Sequence, residues 1–162
     1  MLKTKIFKFF LLPLIPILII YSFYYLNNQK ENKKIQDLNR FSQAIFISHQ
    51  NEFVTVFVNA DDKQIIALLS QINATEKDHR IYLLRKINDI WYLYDSKEVK
   101  KISTSTYNRL DSVLKKDGIV NLKTDKINDI ISQDRPVYLV TIPIEIKDRS
   151  RVTDYLLVVS NN

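Results

Sequence analysis

The stretch Ile81-Tyr82-Leu83-Leu84-Arg85-Lys86-Ile87-Asn88-Asp89-Ile90-Trp91-Tyr92-Leu93-Tyr94 decides the fold. Two apolar and aromatic runs flank Asn88-Asp89, a pair that tolerates positive φ and suits a tight hairpin, so 81–87 and 90–94 read as antiparallel strands. Strand alternation places Trp91 and Leu93 on one face and Tyr92 and Tyr94 on the other, with Asp95 at the end.

Downstream, Tyr107, Leu110, Val113 and Leu114 share one side of a helix expected from Thr104 or Ser105 to Lys116. Lys115 and Lys116 in its last turn complement the helix dipole. Gly118, the only glycine of the chain, supplies the left-handed residue that ends it. A short helix is expected over Thr124–Ile131, capped by Thr124 or Asp125, with Ile127, Ile130 and Ile131 buried. The segments 136–146 and 152–159, joined by the polar turn Lys147-Asp148-Arg149-Ser150, read as a second antiparallel hairpin. Pro143 suits an edge or a bulge.

Upstream, Asp61 or Asp62 caps a helix through about Ile72. Phe53-Val54-Thr55-Val56-Phe57-Val58 is either a strand or the buried end of a helix, and its β-branched and aromatic content favours the strand. Residues 27–50 read as a stalk helix carrying the stripe Ile35, Leu38, Phe41 and Ile45. That stripe suits packing on the domain or pairing with a second copy as a homodimeric coiled coil, and its shortness favours packing.

The run Ile6–Leu26 is nearly uncharged, and its 21 residues match the roughly 20 that a helix needs to cross a bilayer. Tyr21, Tyr24 and Tyr25 resemble an interfacial belt. A cleaved secretion signal is the alternative, but no small residues follow the apolar core, so an uncleaved anchor is expected. The expected division is therefore 1–5 cytoplasmic, 6–26 transmembrane, 27–50 stalk and 51–162 an α+β domain outside the cytoplasm. Charges around the anchor are nearly balanced, and the short basic N-terminus sets the orientation.

Net charge is +6, and Lys3, Lys5 and Lys8 account for half of it, so no basic face for nucleic acid is expected. The absence of cysteine excludes disulfides, thiol catalysis and thiolate zinc sites. One glycine and four prolines exclude glycine-rich phosphate loops. Irregular alternation of helices and strands, with turns too short for parallel crossovers, gives an α+β class on an antiparallel sheet.

The hairpin ending in Trp91-Tyr92-Leu93-Tyr94-Asp95-Ser96, the helix running into Asp117-Gly118, the segment Arg135-Pro136-Val137-Tyr138-Leu139-Val140-Thr141-Ile142-Pro143-Ile144 and the last strand together resemble extracytoplasmic PAS-like or Cache sensor domains of bacterial membrane receptors. The resemblance covers about 81–159. It implies a central antiparallel sheet with a long N-terminal helix along its back. It also implies a small-molecule pocket on the other face under the intervening helices, and residence at the bacterial inner membrane. The chain departs from such receptors in ending at Asn162 without an output module, so a separate membrane or envelope protein is the expected partner.

A pocket lined by Tyr92, Tyr94 and Tyr138, with Asp95 nearby and Arg85 or Arg135 as anion partner, would suit a small carboxylate or amino acid, because arginine binds carboxylates bidentately. Tyrosines of a core with wet hydroxyls read the same way. His49 and His79, the two histidines, are expected in solvent, on the stalk and in the loop Glu76–Arg80. The loop spacing argues against a metal cluster. No nucleophile, base and orienting acid can be assembled, so no enzyme and no cofactor is expected. Asn73-Ala74-Thr75 matches a glycosylation sequon of the kind that arises often by chance. The function expected is a membrane-anchored ligand-sensing or partner-binding domain. The alternative is a structural component of an envelope or secretion assembly, with exposed Tyr and Phe as its interface.

Overall fold

A computed structural model describes residues 14–59, 61–111, 114, 120–144 and 154–160. The chain forms two compact units, Met1–Lys34 and Ile35–Asn162. Helix α1 (Leu14–Ser48) begins in the first and ends in the second. In the first unit the large apolar side chains from Ile17 to Leu26 are 53–69% exposed. The Tyr25 hydroxyl accepts from Gln29 Nε2 at 2.6 Å.

The second unit is α+β. After α1 come α2 (Gln50–Asn59), α3 (Asp62–Thr75), β1 (His79–Ile87), β2 (Ile90–Tyr94), β3 (Val99–Ile102), α4 (Thr104–Asp111), β4 (Val120–Thr124), α5 (Asn128–Ile131), β5 (Val137–Ile144) and β6 (Asp154–Ser160). The six strands form one antiparallel sheet in the order β3-β2-β1-β6-β5-β4. Asn88 and Asp89 take φ of 49° and 63°, two consecutive positive values that fit the twist of a two-residue hairpin.

Strand alternation divides the core into two layers. Ile81, Leu83, Tyr94, Val140, Ile142, Leu156 and Val158 face Leu38 of α1, Phe53 of α2 and Ile65, Leu69 and Ile72 of α3. Leu84, Trp91, Leu93, Leu139, Tyr155 and Leu157 face Leu110 of α4, Leu114, Ile127 and Ile131 of α5. Among the described residues, both faces of the sheet are thus packed with side chains from flanking helices. The stripe Ile35, Phe41 and Ile45 packs beside Leu38 on the first layer, so within this unit it serves intramolecular packing.

Residues 53–58 lie in α2 and are not a strand. The run is continuous in β-forming residues, but Phe53 and Val56 join the first core layer through a helical i, i+3 stripe while Thr55 returns its hydroxyl to Asn51 O at 2.8 Å. Burial of that stripe outweighs a weak local preference. Asp61 caps α3, accepting from Lys63 N at 2.9 Å. Strands β3 and β4 are additional to the expected hairpins, and α5 begins only at Asn128 because Thr124 ends β4. The expected stop at Gly118 and the turn 147–150 lie outside the described residues. Pro143 sits in β5, opposite Tyr155 of β6 and two residues beyond Thr141, the last that pairs with β4 among the described residues.

Candidate functional site

Three of the six sequence candidates share a region. Arg85 of β1 pairs in register with Tyr92 of β2 on one side and Asp154 of β6 on the other. All three, with Tyr94, lie on the sheet face covered by α1, α2 and α3. Arg85 and Asp154 are 3% and 0% exposed, and Arg85 Nε lies 3.6 Å from Asp154 Oδ1. The Tyr94 hydroxyl donates to Asp62 Oδ1 in the first turn of α3 at 2.7 Å. Burial, then that hydrogen bond, raises the Tyr94 pKa well above the usual phenol value. The arginine expected to meet a ligand carboxylate thus has a carboxylate of the chain beside it.

The other three candidates are elsewhere. Tyr138 shares its register row with Ser160 and His79, six residues along β1 from Arg85, about 20 Å at the strand rise. Its ring carries Lys123 Nζ at 5.4 Å. Asp95 Oδ1 accepts from Lys97 N at 2.6 Å and Glu98 N at 2.8 Å, which makes it the organiser of the β2–β3 turn. Arg135 is exposed ahead of β5.

The histidines are not free side chains in solvent. His79 opens β1 and stacks on Phe41 of α1 with ring centroids 4.2 Å apart. His49, between α1 and α2, holds Glu52 Oε2 through Nδ1. Among the described residues no three histidine, aspartate or glutamate side chains come together as a metal site would require. The sequon asparagine Asn73 is buried and engages Ile81 through both ends of its amide.

A groove with a volume of about 470 Å³ runs between α2 and α3. Helix α2 contributes Asn51, Glu52, Thr55 and Val56. Helix α3 contributes Gln64, Ala67, Leu68 and Gln71, spaced as one helical face. A smaller pocket of about 260 Å³ lies where β3 meets α4 and α5, between Lys101, Ser103, Thr106 and Asp129. Reading 53–58 as a strand hides the first groove, because α2 then has no polar face. The signal was present in Asn51, Thr55 and in Gln64, Gln71, polar residues at helical spacing. Asp154 is hidden in sequence by the polar run that precedes it.

On the far face Tyr107 stacks on Trp91, centroids 4.9 Å apart, and its hydroxyl donates to Asp111 at 2.8 Å. Burial, aided by that bond, pushes its pKa up to about 12. Both Tyr94 and Tyr107 have folded pKa values above the unfolded one. Their stabilisation is therefore complete below about pH 10, and is lost as pH rises through the folded values. Alkaline titration followed by tyrosinate absorbance should show late-titrating tyrosines in the folded chain, fewer by one in Tyr94→Phe and in Tyr107→Phe. Unchanged titration curves in both variants would contradict these environments.

No family model, no curated protein and no solved structure matches the chain.

Proposed function

We propose that this chain is a single-pass membrane-anchored protein that presents a ligand-sensing α+β domain outside the cytoplasm, and that it works by binding together with a separate protein. The observation that carries the reading is the exposure of Ile17, Leu18, Ile19, Ile20, Phe23 and Leu26 around the first turns of described α1. A helix apolar on every side asks for an apolar surrounding, and the tyrosines that follow suit the headgroup boundary. Among the described residues no helix is long and apolar enough to cross a membrane. The run Ile6–Leu26 starts eight residues before them.

The resemblance to PAS-like and Cache sensors supports the sensing half of the proposal, through the central antiparallel sheet between helices. The groove differs in position from the pocket that resemblance implies, since it lies between α2 and α3. Its volume falls in the range of small-molecule sites, about 300–1,000 Å³. The second reading, a structural component of an envelope assembly, is favoured by the packing of both sheet faces.

Alkaline carbonate extraction should leave the full chain in the membrane fraction, and a reporter fused after Asn162 should be active only outside the cytoplasm. Release into the supernatant, or cytoplasmic reporter activity, would overturn the anchored reading. A thermal-shift screen of the full chain in detergent, with amino acids, organic acids and amines, separates the two readings. A ligand at 100 times its dissociation constant adds about 2.7 kcal/mol. Absence of any shift, with co-purification of an envelope complex, would replace sensing with assembly.

A further inference from the structure

We infer that the α2–α3 groove takes a small organic ammonium, with Glu52 as its counter-charge; the inference rests on the binding reading and names its ligand class. Among the described residues, Glu52 is the only charged one lining the groove. Asn51, Thr55, Gln64 and Gln71 add neutral amide and hydroxyl groups to a lining that also holds the apolar Val56, Ala67 and Leu68. A ligand carboxylate would face the Glu52 carboxylate, whose Oε2 is held by His49, whereas an ammonium gains a charge-assisted hydrogen bond to that group and can lay a short alkyl stem along Val56 and Leu68. The local sign opposes the net charge of +6, so the bulk charge of the chain does not account for it.

Size argues for a small molecule over a protein. The α3 lining from Gln64 to Gln71 rises only about 10 Å, too short a seam for the roughly 1,000 Å² that a specific protein interface needs. His49, which does not line the groove, touches Glu52 Oε2 and so fixes the carboxylate at its edge. The ligand class is the reverse of the carboxylate expected from Arg85, and it follows from which charge borders open volume.

The test is titration of the full chain in detergent with 1,4-diaminobutane, followed by amide resonances of Asn51, Gln64 and Gln71. Saturable shifts are expected with the diamine and none with butyrate. Glu52→Gln should weaken diamine binding about tenfold or more, the loss of one charge-assisted hydrogen bond. Ala67→Trp, at an exposed position, should abolish it by filling the groove. Equal binding of butyrate, unaltered affinity in Glu52→Gln, or wild-type binding in Ala67→Trp would each overturn the inference. If the diamine fails to bind while another compound class shifts the melting temperature, the ammonium assignment falls and the sensing reading stands.

Discussion

Replacing Asn73 with alanine is expected to destabilise the domain by about 2–4 kcal/mol, the cost of leaving two buried backbone groups without partners. Strand β2 stops pairing at Tyr94, opposite Leu83, so Ile81 projects its N–H and C=O past the end of that strand. The Asn73 side chain occupies the place of the missing residue. Its Nδ2 donates to Ile81 O at 2.9 Å and its Oδ1 accepts from Ile81 N at 2.8 Å. With Asn73 only 7% exposed, water cannot substitute freely. Asn73→Asp separates the two bonds. The carboxylate can still accept from Ile81 N but opposes the Ile81 carbonyl, and only the protonated acid can donate to it. Its folded pKa is therefore raised, and the sign follows. The bond it restores is fully present below about pH 4, the unfolded aspartate value, and is lost as pH rises through the folded value. Denaturant unfolding followed by Trp91, the only tryptophan, measures both effects. A variant Asn73→Ala within about 0.5 kcal/mol of wild type, the usual range for surface changes, would show that the amide is dispensable.

The same residue shows why the sequence is legible in some places and silent in others. Asn73 reads as part of a sequon, because three residues of local pattern say nothing about a partner eight positions later on another element. The hairpin 81–94 is legible in full, since its two strands and the φ requirement of Asn88-Asp89 are local properties. The amphipathic faces of α3 and the stripe on α1 are legible for the same reason. Helix α2 is not, because Phe53–Val58 is rich in strand-forming residues while Phe53 is buried and Val56 half-buried at helical spacing, and tertiary contact decided between them. Strands β3 and β4 escape because Val99-Lys100-Lys101-Ile102 and Val120–Thr124 are short, mixed edge segments whose lysines suit an edge better than they announce a strand. Of the candidate site, alternation correctly groups Tyr92 with Tyr94. It cannot give the strand order, which sends Tyr138 to the far end of the sheet and brings Asp154 beside Arg85.

The largest effect is expected at that ion pair. Arg85→Met should cost about 3–5 kcal/mol, because it leaves the Asp154 carboxylate in a site with no exposure, far from the water that would solvate it. Asp154→Leu should cost a similar amount by removing the carboxylate beside a guanidinium that is only 3% exposed. The double variant Arg85→Met/Asp154→Leu removes both charges and should recover most of the loss, since apolar replacement of a buried pair is often neutral or stabilising. The cycle therefore predicts strong coupling, with the double variant far more stable than the sum of the singles allows. Tyr94 supplies a second readout, because Arg85 pulls its pKa down and Asp154 pushes it up. Arg85→Met should move Tyr94 titration still higher and Asp154→Leu should lower it, which general loosening of the core would not do in opposite directions. Additive stabilities together with parallel shifts of Tyr94 would mean that the two charges do not act as a pair. The double variant also separates folding from recognition. If it folds and still responds to the ammonium probe while Glu52→Gln does not, the pair organises the core and binding belongs to the α2–α3 groove. If it folds and every ligand response disappears, Arg85 and Asp154 are kept for recognition, at a site beneath the helices.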